Sequence, residues 1–241
     1  SEMCIRDSSP ALSKLLARLP VQDDGEALRQ SLFHSGTHFN PDLLTSEAER
    51  RARLEGVHAA LDRAESLVFL DTESTGGRNG RLIEVALVET DVEQNVTGGL
   101  HFRCNPHRRS LAGARRVHGI QDCELEHCPE FAARADELLE AVRGKTVVIH
   151  DRTMDLLWLN RELQAARPGA PRFEDRCTVV DSFVLARAIP SERRRNGLDA
   201  LLEWYGLGAR GGHHDAYGDA ALLSRVFFEL WWDLDEWLYG E

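Results

Sequence analysis

With 241 residues, 42% of them hydrophobic, the chain holds roughly 100 core candidates, enough for one large domain or one domain with an appendage and too few for two full-size domains. Its 29 basic and 40 acidic residues leave a net charge of -11, which excludes a protein that coats nucleic acid through its overall field but not one that binds it locally. No apolar run approaches the roughly 18 residues needed to span a bilayer, so no membrane partner is expected, and the lack of a basic-then-apolar leader makes the cytoplasm the expected compartment.

The opening SEMCIRDS has no periodicity and reads as non-native, so fold reasoning starts near Pro10. From there to Ala64 the pattern is helical, with Leu12, Leu15, Leu16 and Leu19 at helical spacing, a loop at Asn40-Pro41, and a long polar helix from Ser46, where Ser46-x-x-Glu49 forms a capping box. Residues 1–65 are therefore expected to be an N-terminal helical extension that covers the main domain or docks a partner, and residues 66–241 the main domain.

At Leu67 the period changes. Leu67-Val-Phe-Leu70 is a continuous apolar run, as in a strand buried on both faces, and it runs into Asp71. Strand-like segments follow over 82–88 and 99–104, making a meander with the first. A helix is predicted over 129–142, a strand over 146–149, a helix over 155–165, a strand over 178–180, short helices through Val184 and Leu201, and a long helix over 215–239. A meander followed by alternating strands and helices implies an α/β fold, a mixed sheet with helices on both faces.

Four Asp-x-Glu pairs occur, beginning at Asp24, Asp71, Asp91 and Asp122. Only Asp71 and Glu73 lie at the end of a buried strand, where they share a face and where unpaired carboxylates are costly without a cation. Asp155 falls in the first turn of the next-but-one helix, a position that the helix dipole also favours. In His213-His214-Asp215-Ala-Tyr-Gly-Asp219, five residues are about 140° of helix, so His214 and Asp219 share no helix face and His214 belongs to the preceding loop, beside Gly211 and Gly212. Such a set, several carboxylates with a neutral imidazole, suits two divalent ions roughly 4 Å apart that position water against a phosphodiester, with histidine accepting the proton.

The order Asp71-x-Glu73, His150-x-x-x-x-Asp155 and His214-x-x-x-x-Asp219 resembles the DEDDh (DnaQ-like) exonucleases, the family typified by the proofreading epsilon subunit of bacterial DNA polymerase III. The resemblance runs over residues 66–232 and takes in Leu82-Ile-Glu-Val-Ala, Asn105-Pro106, Val117-His-Gly-Ile120, Val180-Asp-Ser and Asn196-x-Leu-Asp-Ala-Leu201. It implies a ribonuclease-H-like, mixed five-stranded sheet flanked by helices, and two-metal hydrolysis from the 3′ end releasing nucleoside 5′-monophosphates. It further implies Asp71, Glu73, Asp155 and Asp219 as ligands of Mg²⁺ or Mn²⁺, and His214 as general base. Ser74, Thr75, Gly76, Val117, His118 and Met154 would contact the terminal nucleotide. DNA, as single strands or frayed ends, is the expected substrate. RNA, as for oligoribonuclease or ribonuclease T, is the alternative, and a catalytically silent nucleic-acid-binding module is the reading from another class. A DNA polymerase or a second copy of the chain would be the protein partner, although with nothing after Glu241 a stand-alone enzyme is expected over a replisome subunit.

The second motif departs from the family pattern of His-Asn with an aromatic before the Asp. Here it reads His150-Asp151-Arg152-Thr153-Met154-Asp155, so Met154 would serve as an apolar wedge and Asp151 adds a carboxylate near the metals. Arg193-Arg-Arg195 is expected in a loop near the substrate groove, as a phosphate contact or a solvated basic loop. Phe227, Phe228, Trp231, Trp232 and Trp237 recur at helical spacing and read as core, and the five scattered cysteines read as reduced thiols.

Overall fold

The structure, a computed structural model, describes residues 46–240. The expectations for the leucine-rich helix and the Asn40-Pro41 loop lie outside the described residues. Ser46 is the N-cap of α1 (Glu47–Leu61), its hydroxyl accepting from the Glu49 amide at 3.2 Å.

Five strands follow, β1 (Ser66–Ser74), β2 (Leu82–Asp91), β3 (Val96–Arg103), β4 (Thr146–Ile149) and β5 (Thr178–Asp181). They form one mixed sheet in the order β3-β2-β1-β4-β5. The meander pairs antiparallel, whereas β1–β4 and β4–β5 pair parallel, so β1 is where the sheet changes direction. Ligand crevices form outside strand carboxyl ends at such switch points.

The β1 sequence sorts its side chains by period two. Leu67 and Phe69 enter one core with Leu223, Phe227 and Leu230 of α8 (Ala216–Tyr239), and Val68 and Leu70 enter the other with Leu159 and Leu163 of α5 (Thr153–Ala166). A helix therefore crosses each face, and the first turns of both meet the carboxyl end of β1. Leu54 and Leu61 of α1 join the α8 side, and buried His58 pairs with Asp235 at 3.0 Å. Phe227 and Phe228 are buried as expected, and Trp231 stacks on Phe228 with 5° between planes, but Trp232 is exposed.

Some boundaries differ from the sequence reading. The meander hairpin extends to Asp91 and resumes at Val96, because the outer end of edge strand β3 is solvent-exposed and carries no apolar alternation. The helix predicted over 129–142 is a single tight turn, Phe131–Ala133, followed by α4 (Ala135–Ala141). Phe131 is drawn into the core against Phe102, and Arg134, which lies over the same ring, takes a non-helical φ of -113° at the junction. The remaining short helices are α2 (Ala112–His118), α3 (Asp122–Leu125), α6 (Ser182–Ala188) and α7 (Leu198–Trp204). Among the described residues no helix is long and apolar enough to cross a membrane.

Candidate active site

Asp71 and Glu73 project from one face of β1, continuing the row begun by Leu67 and Phe69 toward α8. Asp219 stands in the first turn of α8 and Asp155 in the first turn of α5, where Thr72 Oγ1 donates to Asp155 Oδ1 at 2.6 Å. Thus β1 itself orients a carboxylate from the helix on its opposite face. His214 lies in the loop before α8, as its spacing predicts, and its amide donates to the Val117 carbonyl at 3.0 Å. Ligand atoms of Glu73, His214 and Asp219 all lie within 4.8 Å of one another.

These acids are far from their ordinary titration. Loss of hydration pushes Glu73 up to about 8, with Asp219, Glu84 and Asp155 adding repulsion. Burial likewise raises Asp155 and Asp219 to about 6 each. Asp71 is raised well above the carboxylate range by burial and by Asp155, Glu73 and Asp219, and no hydrogen-bond donor among the described residues reaches its carboxylate. A cluster so short of positive charge is a cation site by composition, and its oxygen ligands suit a hard divalent ion.

Three residues to which the motif reading gave no role, Glu84, Arg210 and Asp181, complete the site. Glu84 faces Glu73 directly across the β1–β2 ladder and is 1% exposed, yet it stays ionised. Loss of hydration opposes this, but the Ala216 amide (3.0 Å), Arg103 (2.8 Å) and His101 (3.1 Å) together hold its pKa below the usual value. Glu84 also ties β2 to the first residue of α8, three before Asp219. Arg210 supplies the one cation inside the cluster among the described residues, its Nη1 2.7 Å from Asp219 Oδ2 and 2.5 Å from His214 Nδ1, with Nε paired to Asp199 at 2.8 Å. A guanidinium only donates, so the His214 ring beside it is neutral. Burial first, and then Arg210, lower its pKa accordingly. The sequence signal for Arg210 was slight, an arginine among glycines.

Asp181 was within reach of sequence reasoning, since Thr178-Val-Val-Asp181 repeats the apolar-run-into-acid pattern of β1. Its carboxylate accepts from the amides of Asp151 (3.2 Å), Arg152 (3.3 Å), Phe183 (3.0 Å) and Val184 (3.2 Å). It thereby clamps the turn that delivers Asp155. Asp151, at φ 58°, sits at the left-handed point of that turn, a conformation that Asn and Asp tolerate best. The Asp-for-Asn departure therefore keeps the backbone chemistry of the position. His150 Nδ1 donates to Ser182 Oγ at 2.9 Å, and burial pushes its pKa down to about 4, leaving it a neutral strut.

The six residues assigned to nucleotide contact divide. Ser74 and Thr75 are buried, Ser74 Oγ accepting from the Gly76 amide at 3.1 Å and Thr75 Oγ1 from the Arg81 amide at 3.0 Å. Gly76 adopts φ 91°, and a Cβ there would stand 2.9 Å from Ala114 Cβ, so only glycine lets this loop pack on α2. Val117 is 45% exposed beside His214, and Met154 is half-buried in the first turn of α5. His118 is buried rather than facing the cleft, its Nδ1 accepting from the Ile120 amide at 3.0 Å. The Arg193 expectation is corrected outright. Its side chain is 1% exposed and bound to Asp233 at 2.6 Å, to Tyr205 Oη and to the Ala186 carbonyl, because a buried cation needs an anionic partner and acceptors.

Residues 68–227 match the exonuclease family. Curated relatives include the DNA polymerase III subunit epsilon of Rickettsia felis, 34% identical over 168 residues that cover 68% of this chain and 72% of that protein. The same subunit of Escherichia coli K12 is 33% identical over 172 residues, 68% of this chain and 70% of that one. Among solved structures, the zinc-bound E. coli exonuclease I complex with single-stranded DNA superposes with a TM-score of 0.54 at 20% identity, over 71% of this chain and 40% of that one. A product-bound exonuclease I gives 0.55 at 19%, over 72% of this chain and 44% of that one. At such identity the likeness concerns the fold, and the chain spans about two fifths of the length of those structures.

Proposed function

The chain belongs to the DnaQ-like family of 3′-to-5′ exonucleases, and we propose that it hydrolyses DNA, as single strands or frayed 3′ ends, to nucleoside 5′-monophosphates with two divalent ions, Mg²⁺ or Mn²⁺. One observation carries this reading: four carboxylates from β1, α5 and α8 converge at one strand end beside a neutral imidazole.

The donor set fits divalent metal, since Asp71 lacks any hydrogen-bond donor among the described residues and Glu73, His214 and Asp219 draw their ligand atoms together. Asp71, Glu73, Asp155 and Asp219 would hold the ions, which when bound supply Lewis-acid polarisation of the scissile phosphate and a water of lowered pKa. His214, a neutral imidazole, would take the proton of the attacking water once its acceptor nitrogen is released from Arg210, as the water oxygen bonds to phosphorus and the 3′-oxygen of the penultimate nucleotide departs. Asp181 and Glu84 hold the backbone on which Asp155 and Asp219 ride. Arg210 holds the His214 ring and the Asp219 carboxylate in a fixed relation. Gly76, Val117 and Met154 form the wall against the terminal nucleotide, with Ser74 and Thr75 shaping the loop that carries Gly76 and His118 behind it.

DNA as substrate rests on the relatives, which are named as subunits of a DNA polymerase. A DNA polymerase as partner and a cytoplasmic location rest on the same names. The test is degradation of matched 5′-labelled DNA and RNA oligonucleotides with Mg²⁺ or Mn²⁺, with chelator and His214→Ala controls. A metal-dependent ladder shortening from the 3′ end, faster on DNA, is expected. A faster RNA ladder overturns the substrate, and no ladder from folded protein overturns the activity.

A further inference from the structure

Outside the acidic cluster, the described surface carries a basic concavity of about 390 Å³, lined by Ala112, Arg115, Arg116, Gly119, Gln121 and His213. That volume accommodates a nucleotide-sized group. Ala112, Arg115, Arg116 and Gly119 recur at i, i+3, i+4 and i+7, so they present one face of α2 and its cap. The opposite wall, His213, comes from a loop distant in sequence. Its ring lies against Gly119, where a Cβ would stand 2.8 Å from His213 Cγ and where φ is 72°.

Charge is unspent here. Arg116 is exposed and has no ion-pair partner among the described residues, and Arg115 spends one Nη on Asp122 at 2.9 Å, leaving its other guanidinium donors. His213 is exposed and makes no hydrogen bond among the described residues. Basic residues near a helix C-terminus already gain from the dipole, but that gain does not explain why an imidazole from another segment closes the same hollow. On a chain of net charge -11, a hollow with two arginines and an imidazole selects an anion.

The hollow adjoins the catalytic cleft. His213 precedes His214, and the His214 amide is bonded to Val117 of α2. We infer that this concavity binds an internucleotide phosphate of the substrate strand on the 5′ side of the scissile bond. The inference rests on the exonuclease reading above, and the strand's chemistry fixes the side. The only phosphate linking the 3′-terminal nucleotide is the one being cleaved, so any second phosphate of that strand lies 5′ to it. Arg116 and Arg115 grip the phosphate oxygens, His213 donates from the facing wall, and the strand is steered across α2 into the site.

The test is affinity of the full chain for a 5′-fluorescein oligothymidylate dodecamer, measured by anisotropy with Ca²⁺ across a salt series, for wild type, Arg116→Ala, Arg116→Lys and Arg116→Glu. Arg116→Ala should weaken binding about 5-fold and flatten the log–log salt slope by about 0.7, the share of one single-strand phosphate, with Arg116→Lys recovering most of both. Arg116→Glu should weaken binding further. In turnover, Arg116→Ala should narrow the preference for the dodecamer over the nitrophenyl ester of thymidine 5′-monophosphate, which has no second phosphate. Unchanged affinity and salt slope in Arg116→Ala overturn the inference. If wild type hydrolyses neither substrate the exonuclease reading fails, while the binding series still decides the hollow.

Discussion

Glu73 and Glu84 stand opposite each other on β1 and β2, and among the described residues only Glu84 is satisfied by donors. Two carboxylates at that cross-strand separation repel. With Arg103, His101 and the Ala216 amide all committed to Glu84, Glu73 is left to be neutralised by a proton or a cation. The ladder thus makes one acid structural and frees its neighbour for chemistry.

Removing a carboxylate of the cluster should therefore abolish turnover without unfolding the chain. Asp71→Ala and Asp219→Ala are expected to lose metal-dependent hydrolysis with unchanged far-ultraviolet circular dichroism. Asp71→Asn should raise Tm in chelator by a few degrees, since a neutral amide removes the cost of keeping a buried carboxyl protonated above its unfolded pKa. Turnover persisting in Asp71→Ala would show that the site is misassigned.

The two adjacent histidines should separate kinetically. His214→Ala is expected to cost about 10²–10⁴-fold in kcat. His213→Ala should act mainly on KM for oligonucleotides. Because the His214 pKa is lowered, the acid limb of the wild-type kcat profile should fall below pH 6.5. Equal kcat losses in the two variants would contradict the assignment.

Stability should depend on pH in a way that metal reverses. Glu73, at about 8, holds a proton in the folded state that the unfolded chain releases near pH 4, and the raised pKa of Asp71 acts in the same direction. Between those limits the folded state binds more protons, so stability falls as pH rises, by about 1.4 kcal/mol per pH unit for each such proton. His150 and His214 have lowered pKa values and contribute the opposite slope, but only below about pH 6.5, so the window is roughly pH 6.5 to 8. In chelator, Tm should fall across that window, and saturating Mg²⁺ should flatten the fall. A Tm that rises there without metal would count against the assigned protonation.

Glu84→Gln is expected to destabilise the chain by about 2 kcal/mol, because the amide presents an N–H₂ toward Arg103 and weakens the anchor on the Ala216 amide. It should also lower kcat, through the displaced first turn of α8. Denaturant titration and steady-state kinetics check the two effects separately, and a stable variant with full kcat would remove Glu84 from the positioning role.

The sequence by itself determined the order of the five strands and of the longer helices from Leu67 onward, and the five residues of the acidic constellation, because period-two and helical patterning and motif spacing are local properties, whereas the short helices α2 and α3 carried no such pattern and were not foreseen. It also put His214 in the loop before α8, since five residues of helix cannot bring it over Asp219. Only the tertiary structure decided what depends on partners distant in the chain. Glu84 is structural because Ala216, 132 residues away, donates to it. Arg193 is buried because Tyr205 and Asp233 converge on it, whereas neighbouring Arg195 remains on the surface. Arg210 enters the acid cluster, and His118 turns inward, through contacts that carry no periodic signal. Charge and patterning are written along the chain, but whether a charge is spent or available is fixed by which groups the fold brings beside it.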